Sequence, residues 1–220
     1  MKVYAHYASP KTHPEIKNEY RWRTLLQFGT SWEVIGSIVM VNPGSSRPVS
    51  KDIDEETLCH LRSFSSECDW FVFSVDNTMQ HIENLFRAYY ETQSGNSNLN
   101  GVIQIFNLMN IREPNMGRAL EKIQEETSSF SKTVDKDITK LIAPVYLGWG
   151  KSMNGHPCFC EDQEKLFQVV YNDMNGKYLH ANFNENLFYH PRYMMGRGKN
   201  RSMSKKLFHA FCQNTENPSY

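Results

Sequence analysis

The sequence predicts an α/β fold, a three-layer αβα domain around a central, mainly parallel sheet of four strands. Four short apolar runs bounded by turn residues carry that prediction, together with the amphipathic stretches that lie between them. Strand alternating with helix is the pattern of a parallel sheet whose crossovers cover both faces. Size agrees. A chain of 220 residues, 40% hydrophobic and 22% charged, fits one domain with its own core over residues 1–220.

The first strand is VIGSIVMV (34–41), a run too apolar for a one-sided sheet and closed by Asn42-Pro43-Gly44. DEETLCHLRSF (54–64) and HIENLFRAYYET (81–92) read as helices. VIQIF (102–106) is the second strand, ending at Asn107. MGRALEKIQEE and VDKDITKLI are helix-like, APVYLGW (143–149) is the third strand, EDQEKLFQVVY (161–171) a further helix and NENLFYH (184–190) the fourth strand. In such sheets ligands bind beyond the C-terminal strand ends. That rule selects Asn42 to Ser46, Asn107, Gly150-Lys151-Ser152 and His190-Pro191-Arg192.

Composition narrows the function classes. Twenty-four cations balance twenty-four acids, so no global field draws the protein to a polyanion. The distribution is uneven, however: His190 to Ala210 holds six cations and no carboxylate, a basic edge able to grip phosphates. No run approaches the roughly 18 to 20 apolar residues that span a bilayer, and the first residues lack a signal peptide's apolar core. The expectation is a soluble, cytoplasmic monomer that does not engage membranes. Five scattered cysteines suit reduced thiols rather than disulfides.

Each motif has a plain reading beside a functional one. Asn42-Pro43-Gly44 is a turn, yet Gly44, Ser45 and Ser46 also let backbone approach a phosphate or a flat ring. Asn107 is a turn residue or, through its amide, a reader of a base edge. His190 is a half-buried histidine or an oxyanion-stabilising donor. The segment carrying Arg192, Arg197 and Lys199 is a solvated face or a phosphate grip, and Tyr193-Met194-Met195 within it has the character of a wedge pushed into a base stack. His156-Pro-Cys158-Phe-Cys160 is too tight for a usual metal pair, and neither metal nor cofactor is expected.

In order along the chain, these motifs resemble those of the uracil-DNA glycosylase superfamily. VMVNPGSS is similar to the first active-site motif of its mismatch-specific branch, and WFVFSVDNTMQHIENLFRAYYE to its Phe-Ser-Val segment and following helix. GVIQIFNLMNIREPN resembles the strand ending in the base-reading Asn, APVYLGWGKS the strand ending in Trp-Gly, YHPRYMMGRGKN the His-Pro motif with its DNA-penetrating loop, and SKKLFHAF the closing helix. Arg21-Trp22, Asn42-Pro43, Asn107-Leu108 and Trp149-Gly150 are also similar to an uncharacterised bacterial domain family.

The resemblance implies a monofunctional DNA glycosylase that flips a base, hydrolyses its glycosidic bond and leaves an abasic site. Asn42 would act at the sugar and His190 at the departing base. Phe73 would stack on the base, Asn107 would read its edge, and Ser45, Ser46, Lys151, Ser152, Arg192, Tyr193, Met194, Met195, Arg197 and Lys199 would hold DNA. Two departures stand out. The uracil-specific branch has Asp and a blocking Tyr where this chain has Asn42 and Gly44, which implies a pocket open to 5-substituted pyrimidines and a role in defence against phage. The second motif continues Arg192-Tyr193-Met194-Met195 instead of Ser-Pro-Leu-Ser. A non-catalytic binder of nucleic acid or nucleotide on the same fold is the alternative, favoured by Asn42 standing where a carboxylate would activate water.

Overall fold

The computed structural model describes residues 1–173 and 188–194. Its strands are β1 (Lys2–Ala8), β2 (Tyr20–Phe28), β3 (Val34–Met40), β4 (Pro48–Ser50), β5 (Trp70–Phe73), β6 (Gly101–Asn107) and β7 (Val145–Leu147). The helices are α1 (Glu55–Phe64), α2 (Asn77–Ser94), α3 (Met116–Gln124), α4 (Val134–Asp137), α5 (Cys160–Asp173) and α6 (Pro191–Met194).

All seven strands form one mixed sheet, in the order β4-β5-β1-β2-β6-β3-β7. This corrects the expected four-stranded, mainly parallel sheet. β1 pairs antiparallel with β2 and β5, β2 with β6, and β4 with β5; the parallel pairings are those of β3 with β6 and with β7. The three parallel strands are the runs expected at 34–41, 102–106 and 143–149. The antiparallel half escaped because β1 and β2 follow one another without a helix, and β2 carries Arg21, Arg23 and Gln27 among its apolar residues. Of the expected fourth strand, residues 184–187 lie outside the described residues, and 188–190 belong to no strand.

Helices cover both faces because alternate residues of β3 and β6 point opposite ways. Ile38, Met40, Ile103 and Ile105 meet Met79, Ile82, Leu85 and Phe86 of α2. Val39, Val41 and Phe106 join Ala119 of α3 and Leu166, Phe167 and Val170 of α5. Leu61 of α1 packs with Tyr4, Leu25 and Trp70. Two-sided burial explains why β3 and β6 read as unbroken apolar runs. Asp76 caps α2 by accepting from the Met79 N–H at 2.9 Å, and Gly95 ends that helix at φ +70°.

One irregularity matters for function. β1 and β2 pair as Tyr4 with Leu25 and His6 with Trp22, so Arg23 and Thr24 together face Ala5, a bulge in which Arg23 takes φ +50°. In a regular strand Arg21 and Arg23 would share a face. Here Arg21 lies over Phe73 of the α2 side, 5.4 Å from its ring centre, and Arg23 lies 5.2 Å over Phe106 of the other.

On Arg23's side a buried polar network includes Asp137, whose carboxylate accepts from Thr133 Oγ1 at 2.5 Å while Asn110 Nδ2 donates to that hydroxyl at 3.0 Å. Nearby, His6 is fully buried and donates from Nδ1 to the Asp69 carbonyl at 3.0 Å; burial pushes its pKa down to about 4. The unfolded chain therefore binds this proton near pH 6.5 and the fold only near 4, so stability is lost as the pH drops from 6.5 towards 4, by up to about 1.4 kcal/mol per unit. Asp137 opposes this: burial raises its carboxyl, so the fold gains stability as the pH drops through that raised value. Urea unfolding at pH 7 and pH 5 should show the loss, and His6→Asn, which retains a donor near Nδ1, should remove it. Among the described residues no helix is long and apolar enough to cross a membrane.

Candidate active site

The C-terminal ends of the parallel strands β3, β6 and β7 converge with the start of β2 around a cavity of about 1210 Å³. Asn42, Gly44, Ser45 and Asn107 line it from the strand ends. Lys151 and Ser152 line it from the turn after β7, and His190, Arg192 and Tyr193 from the segment running into α6. Residues far apart in sequence thus meet at one opening, as binding beyond strand ends requires.

Asn42 follows β3, and its Nδ2 donates to the Glu113 carbonyl at 2.7 Å. That bond fixes the amide's orientation and leaves Oδ1 as an acceptor for a water or a ligand. The loop beyond it is strapped by Arg112, whose Nε donates to Ser46 O and Nη2 to Ser45 O, both at 2.7 Å, while Glu19 holds Nη1. Gly44 takes φ +70° and faces open space: a Cβ added there would meet nothing within 4 Å. Ser46 is buried beside the cavity, its hydroxyl donating to Ser74 O at 2.6 Å, and is not part of the lining.

His190 is held through its neighbours. Gly150 N–H donates to Phe188 O at 2.6 Å, Tyr146 Oη donates to Tyr189 O at 2.6 Å, and the Phe188 ring is buried 4.7 Å from Trp149. The Arg192 N–H donates to His190 Nδ1 at 3.2 Å, which puts the proton of the neutral ring on Nε2. Burial, aided by Arg192 and His81, pushes the imidazole down to about 4. At neutral pH it is an uncharged donor.

Asn107 and Arg21 form a second pair in the cavity wall. Both are 3% exposed, and neither Asn107 amide atom has a partner among the described residues. Arg21 is a site residue to which motif reading gave no role; its sequence signals are the Arg21-Trp22 pair shared with the uncharacterised bacterial family and a cation alternating with Tyr20 and Trp22 in a strand-like run. Burial lowers its guanidinium to about 10, against the pull of Asp76, so it remains charged at pH 7.

Phe73, the expected stacking ring, does not line the cavity; it is buried one layer behind, beneath Arg21. Met194 ends α6, while Met195, Arg197, Lys199 and the expected closing helix lie outside the described residues. Cys158 is half-buried against the α5-side core, its N–H donating to His156 Nδ1 at 3.2 Å. Among the described residues no cluster of three or more His, Cys, Asp or Glu could hold a metal ion.

Comparison with protein-family models, with curated proteins and with solved structures finds no match to this chain.

Proposed function

We propose that the protein is a monofunctional DNA glycosylase, releasing a 5-substituted or otherwise modified pyrimidine from DNA. The observation that carries this reading is the meeting, in one cavity, of an Asn42 carbonyl and an Asn107 amide that have no partner among the described residues and a neutral His190 with its proton on Nε2.

Breaking an N-glycosidic bond builds positive charge on the sugar and negative charge on the base. Asn42 Oδ1 would orient a water and face the cationic sugar, while His190 Nε2–H would donate to the base oxygen that gains charge. The water oxygen bonds to C1′, the bond electrons leave with the base, and the water's proton is lost to solvent. An amide cannot take that proton as a carboxylate would, so turnover is slow. The target base must first be flipped from the duplex, at a cost of a few kcal/mol.

Labelled duplexes bearing modified pyrimidines should be cut only after alkali, which cleaves abasic sites. Cutting without alkali would mean a lyase, with Lys151 the amine in the cavity. Binding without any base release would favour the second reading, a non-catalytic binder, to which the amide of Asn42 lends support.

The rim residues Lys151 and Arg192 are exposed, and we assign them to phosphates. Charge reversal at either should weaken DNA binding and flatten its log–log salt dependence by about one unit per lost contact. Binding titrations at three salt concentrations check this. The enzyme would work in the cytoplasm as a monomer, and an enzyme removing hypermodified pyrimidines there would attack phage genomes and spare host DNA.

A further inference from the structure

The cavity wall contains a cation that no carboxylate of the described chain answers at ion-pair distance. Arg21 spends one nitrogen, Nη2, on the Pro43 carbonyl, and among the described residues Nε and Nη1 have no partner although the residue is 3% exposed. Buried guanidinium groups are ordinarily paired, because desolvating an unpaired charge is costly. The fold is shaped to accept that cost at this point: the β2 bulge turns Arg21 away from Arg23's face, Phe73 supports its guanidinium at 5.4 Å, and Asn107, equally buried and unpartnered, lines the same cavity. Arg23 has the same two nitrogens unpartnered but does not line this cavity; Arg21 and Asn107 do, which is where a ligand can complete them.

The donor and acceptor inventory defines that ligand. Asn107 offers two donors and one acceptor and can pair with the edge of any base. Arg21 only donates, and carries charge, so it requires an oxygen acceptor that bears or gains negative charge. Adenine has no such oxygen.

We propose that Arg21 is a specificity-determining residue of this site, which with Asn107 selects an oxo-base, a ring with a carbonyl beside a ring nitrogen, and prefers its N-deprotonated anion. The inference rests on reading the cavity as a base pocket. It adds a charged donor to the neutral His190: the base that leaves with the bond electrons is such an anion, and Arg21 holds it from the cavity wall.

Calorimetric titration of the full chain with free bases tests this without requiring turnover. The probes are uracil, neutral at pH 7.5 or so; 5-nitrouracil, whose electron-withdrawing group makes the ring anionic at that pH; and adenine. The parent should bind 5-nitrouracil roughly 10-fold or more tighter than uracil, the scale of one charge-assisted hydrogen bond, and adenine not measurably. Arg21→Gln should lose that preference, and Arg21→Lys, which keeps the charge, should retain part of it. Should Arg21→Gln not fold, the parent's ranking and Arg21→Lys still decide. Adenine binding as tightly as uracil, or 5-nitrouracil binding no better than uracil, overturns the proposal, as does a folded Arg21→Gln with the parent's preference. Binding of none of the three bases defeats the base-pocket reading, and this inference with it. Selective binding without base release from DNA leaves the inference standing and removes only the catalytic claim.

Discussion

Alanine at His190 is expected to slow base release by about 100- to 1,000-fold, the usual cost of removing one donor from a site where negative charge develops. The structure gives this variant a clean interpretation. The segment is pinned by backbone bonds from Gly150 and Tyr146 and by the buried Phe188, none of which uses the imidazole. Urea unfolding should therefore stay close to that of the parent. Asn42→Ala should cost a similar factor in rate, together with about 1 kcal/mol of stability, since the Glu113 carbonyl loses its donor. The two losses should not add in the double variant if both residues serve one transition state. A pH profile adds a second readout. His190 is neutral down to about 4, so the rate should be flat between pH 8 and 5 and change only as Nδ1 takes a proton and loses the Arg192 N–H. An acid limb near 6.5 would contradict the assigned role.

Tyrosine at Gly44 is the second large effect: release of 5-substituted pyrimidines should fall by at least 100-fold, on the scale of a steric block in a buried pocket, while uracil, if cleaved, should be spared. Nothing lies within 4 Å of a Cβ built at Gly44, so the ring has room to enter the cavity. The backbone there has φ +70°, which costs any L-residue roughly 1–2 kcal/mol. Gly44→Ala carries the same strain without the ring and separates the two causes. If the tyrosine variant handles bulky bases as fast as the alanine variant, Gly44 serves the turn alone.

The parts legible in the sequence were those with two-sided burial or a turn at a strand end. β3 and β6 appear as unbroken apolar runs because helices cover both their faces, and Asn42, Gly44 and Asn107 stand where those runs stop. β2 was not legible for the opposite reason: it is buried along its length yet alternates cations with aromatics, and its bulge breaks the period on which pattern reading depends. Arg21, named there only within the Arg21-Trp22 pair, received no site role for the same reason, since the bulge parts its face from that of Arg23. Phe73 illustrates the converse. As the phenylalanine of the Phe-Ser-Val segment it is a stacking ring by resemblance, but burial beneath Arg21 makes it a support for the guanidinium. Sequence reading can find a strand end; it cannot see which of two layers a side chain occupies.

The claim that this cavity hydrolyses a glycosidic bond is tested most directly by mass spectrometry of the free bases released from natural and hypermodified phage DNAs, comparing the parent with the Asn42→Ala/His190→Ala double variant. The account predicts a modified pyrimidine that accumulates with the parent, with matching alkali-labile sites in the DNA, and that is absent with the double variant. DNA bound tightly by the parent with no free base from any of these substrates, or equal release by both proteins, would contradict it.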